Sequence, residues 1–409
     1  MSLNATPSSE RTHIGIFGRR NAGKSSLINA LTSQNIAIVS EYKGTTTDPV
    51  YKAMELLPLG PVVIIDTPGT DDDGTLGNLR IEKAYHVLNK TDISILVIDG
   101  LIGIAPEDTA LLKHIRSKNA PFVVVFNKSE LLDAAKRTDL ADKLKKDHDL
   151  SCFFVSTVTG ENIIFLKESL ARLVQSEQPK ELVGDLLKPS DIVILVIPID
   201  SAAPKGRLIL PQQQVLRNIL DNGAVAIAVQ ESELAAAMKK LSQKPRLAIT
   251  DSQAFAKVAA TVPPDIPLTS FSILFARYKG TLTDSVRSVK ALETIQDKEK
   301  ILISEGCTHH RQCDDIGTVK LPAWIRNYTK KAPDFVFTSG GEFPHDLSPY
   351  KMIIHCGGCM LNEREMLYRN RCAADQCIPI TNYGIAIAYM NGILKRTLVP
   401  FEDIAALLK

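Results

Sequence analysis

The sequence predicts an α/β protein of three successive units whose sheets are mainly parallel. Three observations predict it. Short, near-continuous runs of Val, Ile, Leu and Phe recur along the chain, which is how strands read when both faces of a parallel sheet are covered. Polar or amphipathic stretches of helical length separate these runs. In the middle of the chain, strand, helix and strand return about every thirty residues, the spacing that right-handed crossovers require.

The first unit spans residues 1–178. His13 to Phe17 is a strand that runs into a glycine-rich loop, and Lys24 to Leu31 opens a helix. Val62 to Ile65, Ile93 to Ile98 and Phe122 to Phe126 are further strands. A second unit, 179–276, follows Glu177-Gln178-Pro179-Lys180. Its strands are expected at Asp191 to Ile199, Ala224 to Val229, Arg246 to Thr250 and Leu268 to Leu274. Helices are expected at Gln212 to Asn222, Glu231 to Leu241 and Gln253 to Ala260. The third unit, 277–409, has strands at Lys300 to Ser304, Phe335 to Thr338 and Lys351 to Ile354. Its helices are expected around Asp284 to Thr294, Leu321 to Tyr328, Asn362 to Arg371 and Ile385 to Ile393. The second unit shows no catalytic constellation and reads as a docking or dimerisation domain.

Composition excludes several classes. A formal net charge of +2 leaves no global footprint for nucleic acid or an anionic bilayer. The basic run Lys143 to Lys146 is interleaved with Asp139, Asp142 and Asp147, the pattern of a solvated helix face. The longest apolar runs, such as Ile192 to Ile197, have strand length and fall short of a membrane span. Met1 to Glu10 has neither the basic nor the apolar segment of a secretory leader, so a cytoplasmic chain is expected. Seven cysteines, four of them near histidines in the last third, then argue for metal binding rather than disulfides.

Chemistry is first legible in the run Gly18-Arg19-Arg20-Asn21-Ala22-Gly23-Lys24-Ser25, followed by Ser26. With a strand before it and a helix after it, this is a phosphate-binding loop. Its glycines turn backbone N–H groups inward around phosphates, Lys24 reaches the β and γ oxygens, and Ser25 is a Mg²⁺ ligand. Asp66-Thr67-Pro68-Gly69 follows a strand; Asp66 supplies a carboxylate to the Mg²⁺ shell and Gly69 an N–H to the γ-phosphate. Asn127-Lys128-Ser129-Glu130 resembles a guanine-reading motif, and Ser156-Thr157 before Thr159-Gly160-Glu161-Asn162 resembles the last base-contacting loop. The expected first unit is therefore a P-loop GTPase domain that binds GTP and GDP.

These motifs resemble the translation-factor-type GTPases, and within them the group with Asn in the phosphate loop and Gly44-Thr45-Thr46-Thr47-Asp48 as first switch. The resemblance implies that Thr46 is the switch ligand to Mg²⁺ and that Asn21 helps to hold K⁺ beside the phosphates. It also places Thr70 where Ras-like proteins carry a water-orienting Gln, which implies slow intrinsic hydrolysis. One departure is Glu130, since the guanine motif ends in Asp; the extra methylene implies weaker base discrimination.

The third unit carries Cys307-Thr308-His309 and His355-Cys356-Gly357-Gly358-Cys359, both placed just past strand ends, where open α/β sheets hold ligands. Two readings of this donor set stand side by side. Zinc takes three cysteines and a histidine in a closed structural site. An iron–sulfur cluster takes three thiolates, leaving a fourth iron for His, a carboxylate or an exchangeable ligand. Cys313, Cys372 and Cys377 lie outside the pattern and read as small buried hydrophobes.

The Cys-x-His…His-Cys-x-x-Cys arrangement, behind a K⁺-type GTPase and a middle α/β domain, resembles the HydF family of [FeFe]-hydrogenase maturation GTPases. The resemblance covers essentially the whole chain, including Lys205 to Pro211. It implies a [4Fe-4S] cluster held by Cys307, Cys356 and Cys359, with the fourth position falling to His309, His355 or Glu305. It implies a homodimer through the middle domain, and a scaffold that assembles a diiron precursor with two radical-SAM maturases and delivers it to the apo-[FeFe]-hydrogenase. On this reading the only turnover is GTP hydrolysis, and Arg326, Arg364 and Arg369 are available to hold an anionic cargo. The alternative is an RNA- or ribosome-associated GTPase with a structural zinc site. The near-neutral charge and 6% aromatic content weigh against nucleic acid as a partner.

Overall fold

The computed structural model describes residues 6–32, 48–69, 75–174, 180–198, 208–306 and 315–408. The chain divides into two compact units, Met1–Gln178 and Pro179–Lys409.

In the first unit, six strands are ordered β2-β3-β1-β4-β5-β6. They are β1 (Thr12–Phe17), β2 (Val50–Leu56), β3 (Gly60–Asp66), β4 (Ile93–Asp99), β5 (Phe122–Asn127) and β6 (Cys152–Phe154). All pairs are parallel except β2 with β3. Helices α1 (Lys24–Thr32), α2 (Thr75–Leu88), α3 (Pro106–Ser117), α4 (Ala134–His148) and α5 (Ile163–Val174) cover the sheet. Ile14, Ile16, Ile64 and Ile95 pack with Leu27, Leu31, Leu166 and Leu170 on one face. Phe17, Ile65, Leu96 and Phe126 pack with Leu111, Leu112 and Leu140 on the other. Burial on both faces is why these strands read as unbroken apolar runs. Strand β2 was invisible to that signal because it is an edge strand, alternating exposed and half-buried residues and carrying Lys52 and Glu55. Asp133 caps α4 by accepting from Lys136 N at 2.7 Å, and Lys143, Lys145 and Lys146 lie exposed on that helix.

The second unit contains two parallel four-stranded sheets, ordered β10-β9-β7-β8 and β12-β11-β13-β14. The first comprises β7 (Ile192–Val196), β8 (Val225–Val229), β9 (Leu247–Thr250) and β10 (Leu268–Ser270), with α6 (Leu210–Asp221), α7 (Leu234–Lys240) and α8 (Phe255–Thr261) between them. Helix α9 (Phe271–Tyr278) leaves β10 directly and leads to α10 (Leu282–Ser288). The second sheet comprises β11 (Lys300–Ser304), β12 (Asp334–Thr338), β13 (Tyr350–His355) and β14 (Ile380–Asn382). It carries α11 (Leu321–Thr329) after β11, α12 (Glu363–Asp375) before β14 and α13 (Tyr383–Met390) after it.

Two expectations are corrected here. The strand expected over Leu268 to Leu274 stops at Ser270, whose hydroxyl accepts from Ile273 N at 3.2 Å and so caps a helix beginning at Phe271. The helix expected through Thr294 is α-helical only to Ser288 and then tightens to a 3₁₀ segment, Val289–Thr294. The two sheets also share one core. Ile249, Leu268, Phe271 and Leu274 join Ile301, Ile303, Ile354 and Ile385 in a single cluster. Helix α9 is buried at Phe271, Ile273, Leu274, Phe275 and Ala276, so it has almost no face to offer solvent. The other face of the second sheet packs Leu302, Ile353 and Ile380 with Leu347 and Ala373.

Candidate functional site

The phosphate loop connects β1 to α1. Gly18 has φ +141°, and a Cβ there would sit 2.2 Å from Val97 O; Gly23 has φ +94°, and a Cβ there would sit 2.0 Å from Asn127 Nδ2. Neither position tolerates a side chain. Asn21 also has positive φ, 60°, and is exposed. Lys24 is buried and donates to Gly18 O at 2.9 Å and Arg19 O at 2.8 Å, which closes the loop on itself. Ala22 is buried, and Ser26 lies half-buried in the first turn of α1.

Ser25 Oγ donates to Asp66 Oδ2 at 2.8 Å, bringing together the two residues read as Mg²⁺ ligands. Burial raises the Asp66 carboxyl pKa, against the Ser25 hydroxyl and the Lys24 charge. Asp66 Oδ1 is buried with no hydrogen-bond partner among the described residues. A half-buried hydroxyl and carboxylate, with one buried carboxylate oxygen left unsatisfied, fit a hard divalent cation. Gly69 is half-buried just beyond. Thr46 and Thr70 lie outside the described residues.

The segment expected to read the base meets the same loop through Asn127. Asn127 Nδ2 donates to Ala22 O at 3.2 Å. Lys128, at φ 65°, donates to Asp99 Oδ2 at 2.5 Å. Glu130 is exposed, Ser156 is fully buried and Thr157 is half-buried. Ser156 Oγ accepts from Thr159 N at 3.0 Å and shapes its turn. Sequence reasoning missed the brace beneath them. Ser129 Oγ and Arg137 Nη1 donate to the Glu161 carboxylate at 2.5 and 2.7 Å, and hydrogen bonds from Arg137 and then Ser129 lower its pKa. Arg19 and Asp108, joined at 2.9 Å, were missed as well. Nothing in their spacing marks these partners.

The cysteine loop lies at the carboxyl ends of β11 and β13. The chain passes from β11 to β12 on one side and then reverses to β13 on the other, a topological switch that opens a crevice. Ser304 pairs with His355 in register, so Glu305-Gly306 and Cys356-Gly357 emerge together. Cys356 Sγ accepts from Gly306 N at 3.0 Å and from Gly358 N at 3.3 Å. Gly358 has φ +62°, and a Cβ there would meet Met366 Sδ at 2.5 Å. Burial raises the Cys356 thiol pKa, and it raises that of Cys359 to about 11. Two N–H donors on one sulfur favour its anionic, metal-binding form. Cys307, His309 and Cys313 lie outside the described residues.

His355 is buried and neutral, its pKa lowered to about 3 by burial and then by the Arg369 charge. Its Nδ1 donates to Cys356 O at 2.8 Å and its Nε2 accepts from Arg369 Nη1 at 3.0 Å. Both ring nitrogens are thus engaged, the arrangement of a residue that orients the loop. Glu305 Oε1 accepts from Tyr383 Oη at 3.2 Å, and a Cβ on Gly317 would sit 2.4 Å from that oxygen, so Gly317 leaves room for the carboxylate. Arg369 is fully buried. It donates to Glu365 Oε1 at 2.9 Å, Ser304 Oγ at 3.2 Å and Gly340 O at 2.9 Å. Its guanidinium therefore braces the site from within. Arg326 lies over the Phe335 ring at 5.0 Å, and Arg364 is half-buried. Cys372 is half-buried, whereas Cys377 is exposed at φ 55°, in the turn that ends α12, and is not the buried hydrophobe expected. Among the described residues, no helix is long and apolar enough to cross a membrane.

Three family models match the chain in succession. Residues 13–128 match the 50S ribosome-binding GTPase, 182–280 the hydrogen maturase F dimerization domain, and 283–400 the hydrogen maturase F tetramerization domain. GTPase Der of Maridesulfovibrio salexigens is 32% identical over 159 residues, 37% of this chain and 35% of that protein. The tRNA modification GTPase MnmE of Heliobacterium modesticaldum is 34% identical over 163 residues, 40% of this chain and 34% of that protein. The chain thus spans roughly a third of the length of these relatives. The structure of Era from Aquifex aeolicus bound to GDP·AlF4⁻ covers 53% of this chain and 92% of that chain, at 22% identity and a TM-score of 0.37. The first unit is a GTPase domain.

Proposed function

The chain belongs to the hydrogen maturase F family, and from that premise we propose that it is a GTP-hydrolysing scaffold that carries a [4Fe-4S] cluster and delivers a diiron precursor to apo-[FeFe]-hydrogenase. The observation that carries this reading is the pair of N–H bonds, from Gly306 and Gly358, onto Cys356 Sγ at a strand-end crevice. Backbone donors aimed at a cysteine sulfur stabilise a thiolate and tune an attached cluster. Cys356, Cys359 and Cys307 would hold the cluster, and Glu305 or His309 the fourth position, since both ring nitrogens of His355 are already engaged. When bound, the cluster supplies an iron site open to an added ligand.

The residues of the GTPase domain have separable tasks. Lys24 and the loop amides bind the β and γ phosphates, and Ser25 and Asp66 hold Mg²⁺ with Thr46. Asn21 holds K⁺, and Gly69 positions the γ-phosphate. Asn127, Lys128, Glu130, Ser156 and Thr157 read the base. Slow hydrolysis gates contact with partners, namely the two radical-SAM maturases and the hydrogenase. The matched dimerization and tetramerization models support self-association, and the reading places the protein in the cytoplasm.

Anaerobic reconstitution with iron and sulfide tests this. About four irons per chain and a reduced-state EPR signal, lost in Cys356→Ser, are expected. A colourless chain holding one zinc overturns it.

A further inference from the structure

Lys279 follows α9 directly and lies within the stretch matched by the dimerization model, 182–280, whereas the cysteine loop lies within 283–400. Its side chain is nevertheless committed to that loop. Lys279 is 3% exposed, and Nζ donates to Gly358 O and, at 2.5 Å, to Leu361 O. These carbonyls belong to the residue before Cys359 and the second residue after it. The ammonium also lies 5.6 Å from the centre of the Phe275 ring. Helix α9 meets the loop again at Ser272, whose Cβ would be 3.6 Å from a Cβ on Gly357, and Ser272 O accepts from Asn382 Nδ2 at 3.1 Å.

A buried ammonium is strongly unfavourable unless its protons reach acceptors. Here two acceptors are backbone carbonyls of the cysteine loop, so moving the loop off α9 strands a buried charge. We infer that Lys279 is a positioning residue for the metal site: it fixes the backbone on both sides of Cys359 and sets a positive charge against that backbone. The shape of the metal site is thereby held from the dimerization segment. This rests on the reading of Cys356 and Cys359 as metal ligands.

The test uses the full chain as wild type, Lys279→Met and Lys279→Arg. Metal-free protein is titrated with Co²⁺, read by thiolate-to-cobalt absorption, and reconstituted protein is titrated potentiometrically by EPR. K279M is expected to bind Co²⁺ about tenfold or more weakly. Its cluster is expected to reduce at a more negative potential, because a nearby positive charge favours the reduced form. K279R, which keeps the charge, is expected to restore both, and GTP hydrolysis is expected to be unchanged in each. Wild-type Co²⁺ affinity and potential in K279M overturn the inference. If wild type binds Co²⁺ but takes no iron–sulfur cluster, the cluster reading falls and the cobalt comparison still decides the role of Lys279. If wild type binds neither, both fall. Should K279M not fold, Lys279→Gln carries the same test with the same two outcomes.

Discussion

Arg369 Nη1 donates to His355 Nε2 at 3.0 Å, with both side chains buried. A guanidinium has no lone pair to give, so Nε2 must be the acceptor and Nδ1 must carry the proton that reaches Cys356 O. One contact thus fixes the tautomer of the residue that precedes the first cysteine of the loop.

The stability of the metal-free chain is expected to fall in acid through His355. Folded, its pKa is about 3; unfolded, it is near 6.5. Between those values the unfolded chain takes up a proton that the folded chain refuses. The stability this group provides is complete above pH 6.5 and is lost as pH falls toward 3, with a slope approaching about 1.4 kcal/mol per pH unit. Urea midpoints at pH 7 and pH 5 should separate in wild type and converge in His355→Gln.

Arg369→Met should destabilise the second unit by about 3–5 kcal/mol, because it leaves the buried Glu365 carboxylate without its cation. Adding Glu365→Leu should recover much of the loss. Equilibrium urea denaturation measures both; equal stability of Arg369→Met and wild type would contradict the brace.

Metal uptake should depend steeply on pH. Burial raises the Cys359 thiol to about 11, so binding must displace a proton at neutral pH. Co²⁺ affinity measured between pH 6 and pH 8 is expected to rise by up to about tenfold per unit for each proton released. A flat profile would show that the thiols are not the ligands.

Ser25→Ala and Asp66→Asn should each slow Mg²⁺-dependent GTP hydrolysis by about 100-fold or more if the pair, 2.8 Å apart, is the cation shell proposed above. Phosphate release assayed across a Mg²⁺ titration checks this. Wild-type rates in both would move the cation elsewhere.

Glu130→Asp should sharpen base choice. The side chain is exposed beside the buried Ser129, so shortening it disturbs no packing. The preference for GDP over ADP, read by calorimetry, is expected to rise about tenfold, or 1.4 kcal/mol. An unchanged ratio would remove Glu130 from base reading.

The sequence by itself determined most of the strands, the phosphate loop and the cysteine loop. Each is a local signal: unbroken Val/Ile/Leu runs for strands buried on both faces, and glycines where φ is positive and no Cβ fits, as at Gly18, Gly23 and Gly358. Edge strand β2, the three-residue strands β6 and β14 and the Ser270 cap carry no such signal and were not expected. Only the tertiary structure decided how Asn127 braces Ala22, how Glu161 is held by Ser129 and Arg137, and how Lys279 and Arg369 grip the cysteine loop from α9 and α12. Those partners stand far apart in the chain. A buried charge or amide gives no periodicity to read; its partner is fixed only when strand order brings two loops to one crevice and the low-dielectric interior requires every polar group there to be satisfied.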